Sequence, residues 1–221
     1  MGKSWLSIKH NALLLTVFAA LLLHPAAHAE EYRAWTGEFM RMGAGARAMG
    51  MGNAYTAVEG DIYSSYYNPA GLSSMIQRQF TFSFRYMSMD RAFRYFAFGS
   101  PAGPDAGFAF SWLNAGTDDI IGRDLNGNPT GALSDNRNAF TLSFAKYLNR
   151  WMSLGINTKY VLWKLAGDDA KSFGFDIGAI VRPVRNLTAS FVVRDIRSRF
   201  TWKSDRWKRS ISGADGQSME K

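Results

Sequence analysis

The imidazoles of this chain are His10, His24 and His28, and it has no cysteine. All three histidines fall in a stretch whose charge and apolarity give it another purpose. Lys3, Lys9 and His10 come first, an apolar run from Ala12 to Leu23 follows, and Pro25 precedes the small-residue site Ala27-His28-Ala29. That order describes a secretory signal peptide over residues 1–29, cleaved before Glu30. The apolar run of twelve residues falls short of the roughly twenty a helix needs to cross a bilayer, so a retained anchor is the weaker reading. Without this leader the chain has neither imidazole nor thiol. Ser-His-Asp and Cys-His nucleophile systems, His-ligated metal sites and zinc-thiolate sites are excluded by inventory. Neither an enzyme nor a cofactor is expected.

Carboxylate and lysine chemistry remains. Asp118-Asp119 and Asp168-Asp169 are adjacent pairs, but both fall in segments that read as loops, where solvated turns are the usual role. Asp124-Leu125-Asn126-Gly127-Asn128 has some calcium-loop spacing, yet Pro129 stands where an EF-hand needs glycine. It reads as a turn. Gly43, Gly45 and Gly50 have the wrong spacing for a dinucleotide fingerprint, and no strand precedes them. Lys3 and Lys9 account for two of the eight net positive charges, which leaves +6 after cleavage. An exported chain seldom meets nucleic acid, so none is expected as a partner. The basic cluster Arg194, Arg197, Arg199, Lys203, Arg206, Lys208 and Arg209 reads as a solvated or headgroup-facing edge.

The elements that position these residues change character at Gln79, where apolar residues begin to recur every second position, the period of β-strands with two unlike faces. Phe80, Phe82, Phe84 and Tyr86 alternate with Gln79, Thr81, Ser83 and Arg85. Further strands are expected over Gly107–Asn114, Ala139–Ala145, Met152–Leu162 and Phe173–Gly178, with noisier ones over Ala92–Gly99 and Leu187–Ile196. The set facing one way is rich in Phe and Leu. The other is small or polar and includes Arg85, Lys159 and Asp176, which suits a wet lumen better than a dry core. Tyr86, Trp112, Tyr147, Trp151, Trp163 and Trp202 are expected near strand ends, where interfacial girdles sit. The longest connection is expected from Ala115 to Asn136, and the turns near Leu148–Arg150 and Pro183–Asn186 are short. Long outside and short inside is the usual arrangement of an outer-membrane barrel.

Between Glu30 and Arg78 the chain does not alternate, and it is dense in glycine and alanine. Asn68 can cap a short helix that Pro69 begins. The run Gly45-Ala46-Arg47-Ala48-Met49-Gly50-Met51-Gly52-Asn53-Ala54-Tyr55-Thr56-Ala57, then Asp61, then Tyr67-Asn68-Pro69-Ala70-Gly71-Leu72, resembles the N-terminal signature of the PorV/PorQ-type branch of the FadL-like outer-membrane β-barrel superfamily. The motif covers about thirty residues, and the strand pattern covers most of the mature chain.

The resemblance implies an all-β fold: a transmembrane antiparallel barrel of fourteen strands, about seven of them present here over residues 79–202. Residues 30–78 become a hatch inside the lumen, and Arg47, Gly50, Gly52, Tyr55, Asp61, Asn68, Pro69 and Gly71 become hatch or ligand-binding residues. An ion pair between Arg47 and Asp61 is expected as well. The implied location is the bacterial outer membrane, and the implied activity is passive transport of hydrophobic compounds such as long-chain fatty acids. The alternative is a PorV-like component that shuttles or anchors cargo proteins of type IX secretion. Partners would be outer-membrane lipid and lipopolysaccharide, an apolar small molecule or a secreted cargo protein, and the barrel assembly machinery. The chain departs from that pattern after Trp202, where a polar tail over 203–221 carries neither an eighth alternating strand nor a terminal aromatic residue. Because such barrels close with even strand numbers, the expectation is a truncated or frameshifted product, or half of a barrel completed by another chain.

Overall fold

The computed structural model describes residues 37–184, 186–198 and 200–203. The signal peptide expected over 1–29 and the polar tail from 204 onward lie outside them. The fold is all-β. One antiparallel meander runs β1 (Gln79–Met87), β2 (Arg91–Pro101), β3 (Ala106–Arg123), β4 (Pro129–Asn149), β5 (Met152–Leu165), β6 (Asp168–Val184) and β7 (Leu187–Ile196), each paired with the next. A short β8 (Thr201–Lys203) pairs with β6 rather than β7, continuing the line of β7 after an interruption. Among the described residues β1 and β7 do not pair, so the sheet is open and not closed into a barrel.

Connections differ from the expected loops. The stretch from Ala115 to Asn136 is a long hairpin, whose strands close on the turn between Arg123 and Pro129. Its ladder continues because solvent wets both faces there, so polar side chains cost nothing and the backbone bonds still form. Asp118 and Asp119 sit at a break in register between Thr117 and Ile120, with Asp119 left-handed at φ 56. Asp168 and Asp169 likewise belong to β6, opposite Leu165 and Lys164. Neither pair is in a loop. The Asp124 carboxylate accepts the backbone N–H groups of Asn126 and Asn128 and the Asn128 side-chain amide, which holds it below the usual carboxylate range. Its oxygens are committed to the turn.

The two faces of the sheet divide as the alternation requires. Residues 37–78 form short pieces, the 3-10 turns Glu38–Met42 and Pro69–Ser74 and the helices Ala46–Gly50 and Ser64–Tyr67. They pack on the inner face. Asn68 accepts the Ala70 N–H with its side chain and Pro69 opens the turn, the cap and first position that those residue types favour. Main chain can lie this close because glycines stand beneath it. A Cβ added at Gly155 would strike the backbone of Pro69 and Ala70, one at Gly107 would strike the Leu72 carbonyl, and one at Gly178 would strike the Asn68 amide. Around them the inner face carries the small residues Ala97, Ala109, Ser111, Thr141, Ser143, Ala145 and Ser153, and beside these the large apolar Phe93, Leu113, Val161 and Ile180, all buried.

The outer face is uncovered. Phe80 is 78% exposed and Tyr86 82%, and Phe82, Phe108, Leu142, Phe144, Phe173 and Phe191 are exposed as well. Register aligns Phe82, Phe96, Trp112, Phe140, Tyr160 and Phe173 into one aromatic row across six strands. Two residues further along lie Phe80, Phe98, Phe110 and Leu142, then Phe108, Phe144, Ile156 and Ile177. Trp163 and Tyr147 do not join this girdle. Trp163 sits on the inner face and donates to Asp135 at 2.6 Å, and Tyr147 accepts from Arg182 at 3.3 Å.

Replacing Gly155 with Val should destabilise the chain by about 1–3 kcal/mol through overpacking. Gly50→Ala, with nothing near its added methyl, should be neutral or stabilising by up to about 1 kcal/mol. Chemical denaturation of both variants reads the difference, and equal effects would contradict the close approach at Gly155.

Candidate functional site

The inner face and the segment that covers it carry the expected site residues in two separate groups. In the first, the Tyr55 hydroxyl donates to Asp61 Oδ2 at 2.6 Å and the Tyr63 N–H donates to Asp61 Oδ1 at 2.8 Å. Arg47 Nη1 approaches the same carboxylate at 3.7 Å and Tyr55 Oη at 3.5 Å, and its guanidinium lies 5.7 Å from the Tyr55 ring. Arg47 and Asp61 therefore pair, but the Arg47 side chain is 68% exposed, so the pair is worth at most about 1 kcal/mol.

In the second group Asn68 is fully buried. Its Nδ2 donates to the carbonyls of Thr56 at 2.8 Å and Ala179 at 3.3 Å, which ties the segment 37–78 to β6. Pro69 is buried beside it. Gly71 has no room for a side chain, since a Cβ would lie 2.5 Å from Ser64 Oγ and 2.6 Å from the Val58 carbonyl. Gly50 and Gly52 belong to neither group. Each faces open space, and Gly52 serves a left-handed turn at φ 63.

Tyrosine hydroxyls hold the rest of the segment. Tyr66 Oη accepts the Gly43 N–H at 3.0 Å and donates to the Met40 carbonyl, and Tyr67 Oη accepts the Ala44 N–H at 3.0 Å. Ser65 Oγ lies 2.8 Å from Tyr95 Oη on β2, and the Ser65 carbonyl accepts from Asn157 on β5 at 3.0 Å. The Tyr66 ring packs edge-on against Tyr67 and Tyr95 at 4.7 and 5.6 Å. Burial, then the hydrogen bond to Asp61, pushes the Tyr55 hydroxyl up to about 12, and burial raises Tyr66 and Tyr67 also.

Sequence reasoning placed Lys159 and Asp176 toward water, and the structure corrects this. Both are buried. Lys159 Nζ lies 2.7 Å from Asp176 Oδ1 and 2.6 Å from Asp195 Oδ1. Asp176 also accepts from Asn157 Nδ2 at 3.1 Å and from the Asp195 N–H at 2.9 Å. Alternation would point Asp195 outward. A bulge, with Asp195 left-handed at φ 59 and a register shift between Phe175 and Ile177, turns it in. An unpaired ammonium here would cost several kcal/mol, so a dry interior demands this partner set. Arg194, expected on a solvated edge, also turns inward and donates to the Tyr67 carbonyl. Arg182 on β6 pairs with Glu59 of the segment, a contact across 123 positions that no local motif announces.

At the end of the sheet near the β1–β2 turn lies a cavity of about 270 Å³, walled by Phe39, Met42, Met87 and Ala115 with Arg91 and Arg137 among its polar residues. Among the described residues no group of three or more His, Cys, Asp or Glu is placed to hold a metal ion. No protein-family model and no curated protein matches the chain, so the reading of this site rests on its own geometry.

Lys159→Met, which leaves two carboxylates facing each other in a dry site, should cost about 3–5 kcal/mol, whereas replacing all three members with apolar residues of similar volume should restore most of it. Denaturation midpoints decide, and a mild Lys159→Met effect would mean that water reaches the triad. A second expectation concerns alkali. The tyrosine hydroxyls titrate higher in the folded chain than the ordinary value near 10, so their stabilisation is complete below about pH 10 and falls as pH rises toward 12. Tyrosinate absorbance at 295 nm and protease cleavage of residues 37–78 should then rise together, with a smaller pH dependence in Tyr55→Phe. Ionisation near pH 10 with the segment still protected would contradict this.

Proposed function

We propose that this chain is an outer-membrane β-barrel protein of the FadL-like kind, which passes hydrophobic compounds such as long-chain fatty acids, with residues 30–78 as its hatch. The observation that carries the reading is the broad apolar face that the sheet exposes, set against polar residues on the face it covers. A soluble sheet would hide its rings and wet its serines. Here each exposed Phe forgoes about 1.5–3 kcal/mol of burial if water is the solvent, while Ser, Thr, Asn, Lys and Asp share the covered face with Phe93, Leu113, Val161 and Ile180. Hydrocarbon outside and polar protein inside reconciles both.

Dimensions agree. From Asn138 to Lys146 on β4 the outward positions are Phe140, Leu142 and Phe144, and eight residues of antiparallel strand extend about 27 Å. Tilted at the usual ~40°, that band spans roughly 20 Å, near the ~25 Å of outer-membrane barrels. Open edges in hydrocarbon are costly, so the reading requires that other strands complete the wall. The cavity walled by Phe39, Met42 and Met87 is slightly smaller than typical ligand pockets, which run to about 300–1,000 Å³, and its lining joins these apolar side chains to Glu38, Arg91, Asp135 and Arg137, a mixture that suits an amphiphile.

One observation favours the second reading, a PorV-like shuttle or anchor for secreted cargo proteins. The β3–β4 hairpin extends past its neighbours, since β2 pairs only to Thr117 and β5 only to Asp135, and Ile121 and Leu125 are exposed on the overhang. Cells carrying the protein should take up labelled long-chain fatty acid several-fold faster than cells lacking it, with Asn68→Ala reducing uptake while leaving heat-modifiability intact. Unchanged uptake, together with loss of surface cargo on deletion, would replace transport by the shuttle. Loss of folding with no separate transport defect in Asn68→Ala would make Asn68 a brace.

A further inference from the structure

One cross-strand row breaks the apolar pattern of the outer face. Two residues beyond the aromatic row, register aligns Phe84, Arg94, Asn114, Asn138, Leu162 and Lys171, and the next row adds Asn136 and Lys164. Rings give way to cations and amides within about 6.8 Å of strand. The amides are organised among themselves. Arg94 Nη1 donates to Asn114 Oδ1 at 2.7 Å, Asn114 Nδ2 lies 3.1 Å from the oxygens of both Asn136 and Asn138, and Trp112 Nε1 donates to Asn138 Oδ1 at 3.0 Å. This network holds Arg94 with its guanidinium 5.3 Å from the Phe84 ring.

The described inner-face cations are all engaged by the packed segment or the sheet: Lys159, Arg137 and Arg182 each pair with a carboxylate, and Arg85 and Arg194 donate to the carbonyls of Met42 and Tyr67. Among the described residues Arg94, Lys164 and Lys171 enter no ion pair, although Asp169 stands opposite Lys164 in the register. Lys164 and Lys171 are exposed. Cations left open directly above an apolar band match an amphiphile with an anionic head and acyl chains, because both halves of such a molecule find their complement at one place.

We propose that this outward belt of Arg94, Lys164 and Lys171 binds the anionic phosphate headgroups of membrane lipids whose acyl chains lie along the aromatic rows beneath. The proposal rests on the membrane reading above. A free phosphate would use the cations alone, and the apolar rows beneath would then have no part in binding.

The test inserts the full chain into phosphatidylcholine vesicles that carry a trace of spin-labelled phosphatidic acid or spin-labelled phosphatidylcholine. Spin resonance then reads the fraction of each label immobilised at the protein. Phosphatidic acid should be preferred about tenfold. The preference should vanish in R94Q/K164Q/K171Q, persist in R94K/K164R/K171R, and persist in R123Q, whose cation lies beyond the belt on the hairpin. Should the triple glutamine variant fail to insert, K164Q/K171Q carries the test and should lose most of the preference. Insertion with no preference overturns the proposal and leaves the membrane reading standing. Competition by millimolar inorganic phosphate overturns it in favour of a free-phosphate site. The unmodified chain is added at high protein-to-lipid ratio so that copies can pair their open edges and complete one another's wall, and failure to enter under those conditions overturns the membrane reading and the proposal with it.

Discussion

A main chain can lie flat on a β-sheet where the sheet has no side chains beneath it, and the rest of this structure depends on that condition. Gly107, Gly155 and Gly178 meet it at three strands, and the turn from Asn68 to Leu72 occupies the room they leave. Where backbone fills that face, the positions around it are small or hydrogen-bonded, because a buried polar group without a partner costs about 1–3 kcal/mol, and Phe93, Leu113, Val161 and Ile180 fill the space beside the segment. The period of two collects the other large apolar residues into rows on the opposite face. The sheet is therefore mixed on its covered face and apolar on its open one.

The same crowding explains the interior charges. Lys159 with Asp176 and Asp195 are charges in a space too full for bulk water, and each is matched within it, while Arg182 and Glu59 pair at the partly exposed margin of the segment. Asp195 reaches its partner through a left-handed bulge in β7, beyond which β8 resumes pairing with β6. The break in the last strand thus has an electrostatic cause as well as a geometric one.

Much of the fold was legible because alternation is a local property. Gln79–Tyr86 read as a strand from its own residues, as did the ladders around Phe108, Phe140 and Phe173. The Asn68-Pro69 cap was legible because its bonds are local too. What failed was non-local. The polar residues of 115–136 looked like a loop, since composition alone cannot distinguish a wet strand from a wet turn. Lys159 and Asp176 looked solvated because only the packed segment excludes water from them. Asp195 was hidden by a bulge that reverses the parity of its strand, and Trp163 appeared to be a girdle residue until register placed it on the inner face. Within the site, Arg47, Tyr55 and Asp61 do come together, while Gly50 and Gly52 serve chain turning and touch neither group.

Trp112 sits in the aromatic row, one step below the polar belt, and reports on the account's central claim that this face meets hydrocarbon. In a variant with Trp112 as its single tryptophan, lipids brominated along their acyl chains should quench the fluorescence strongly, while aqueous iodide should have little effect. Quenching by iodide without quenching by the brominated lipid, in a chain still compactly folded, would contradict the account.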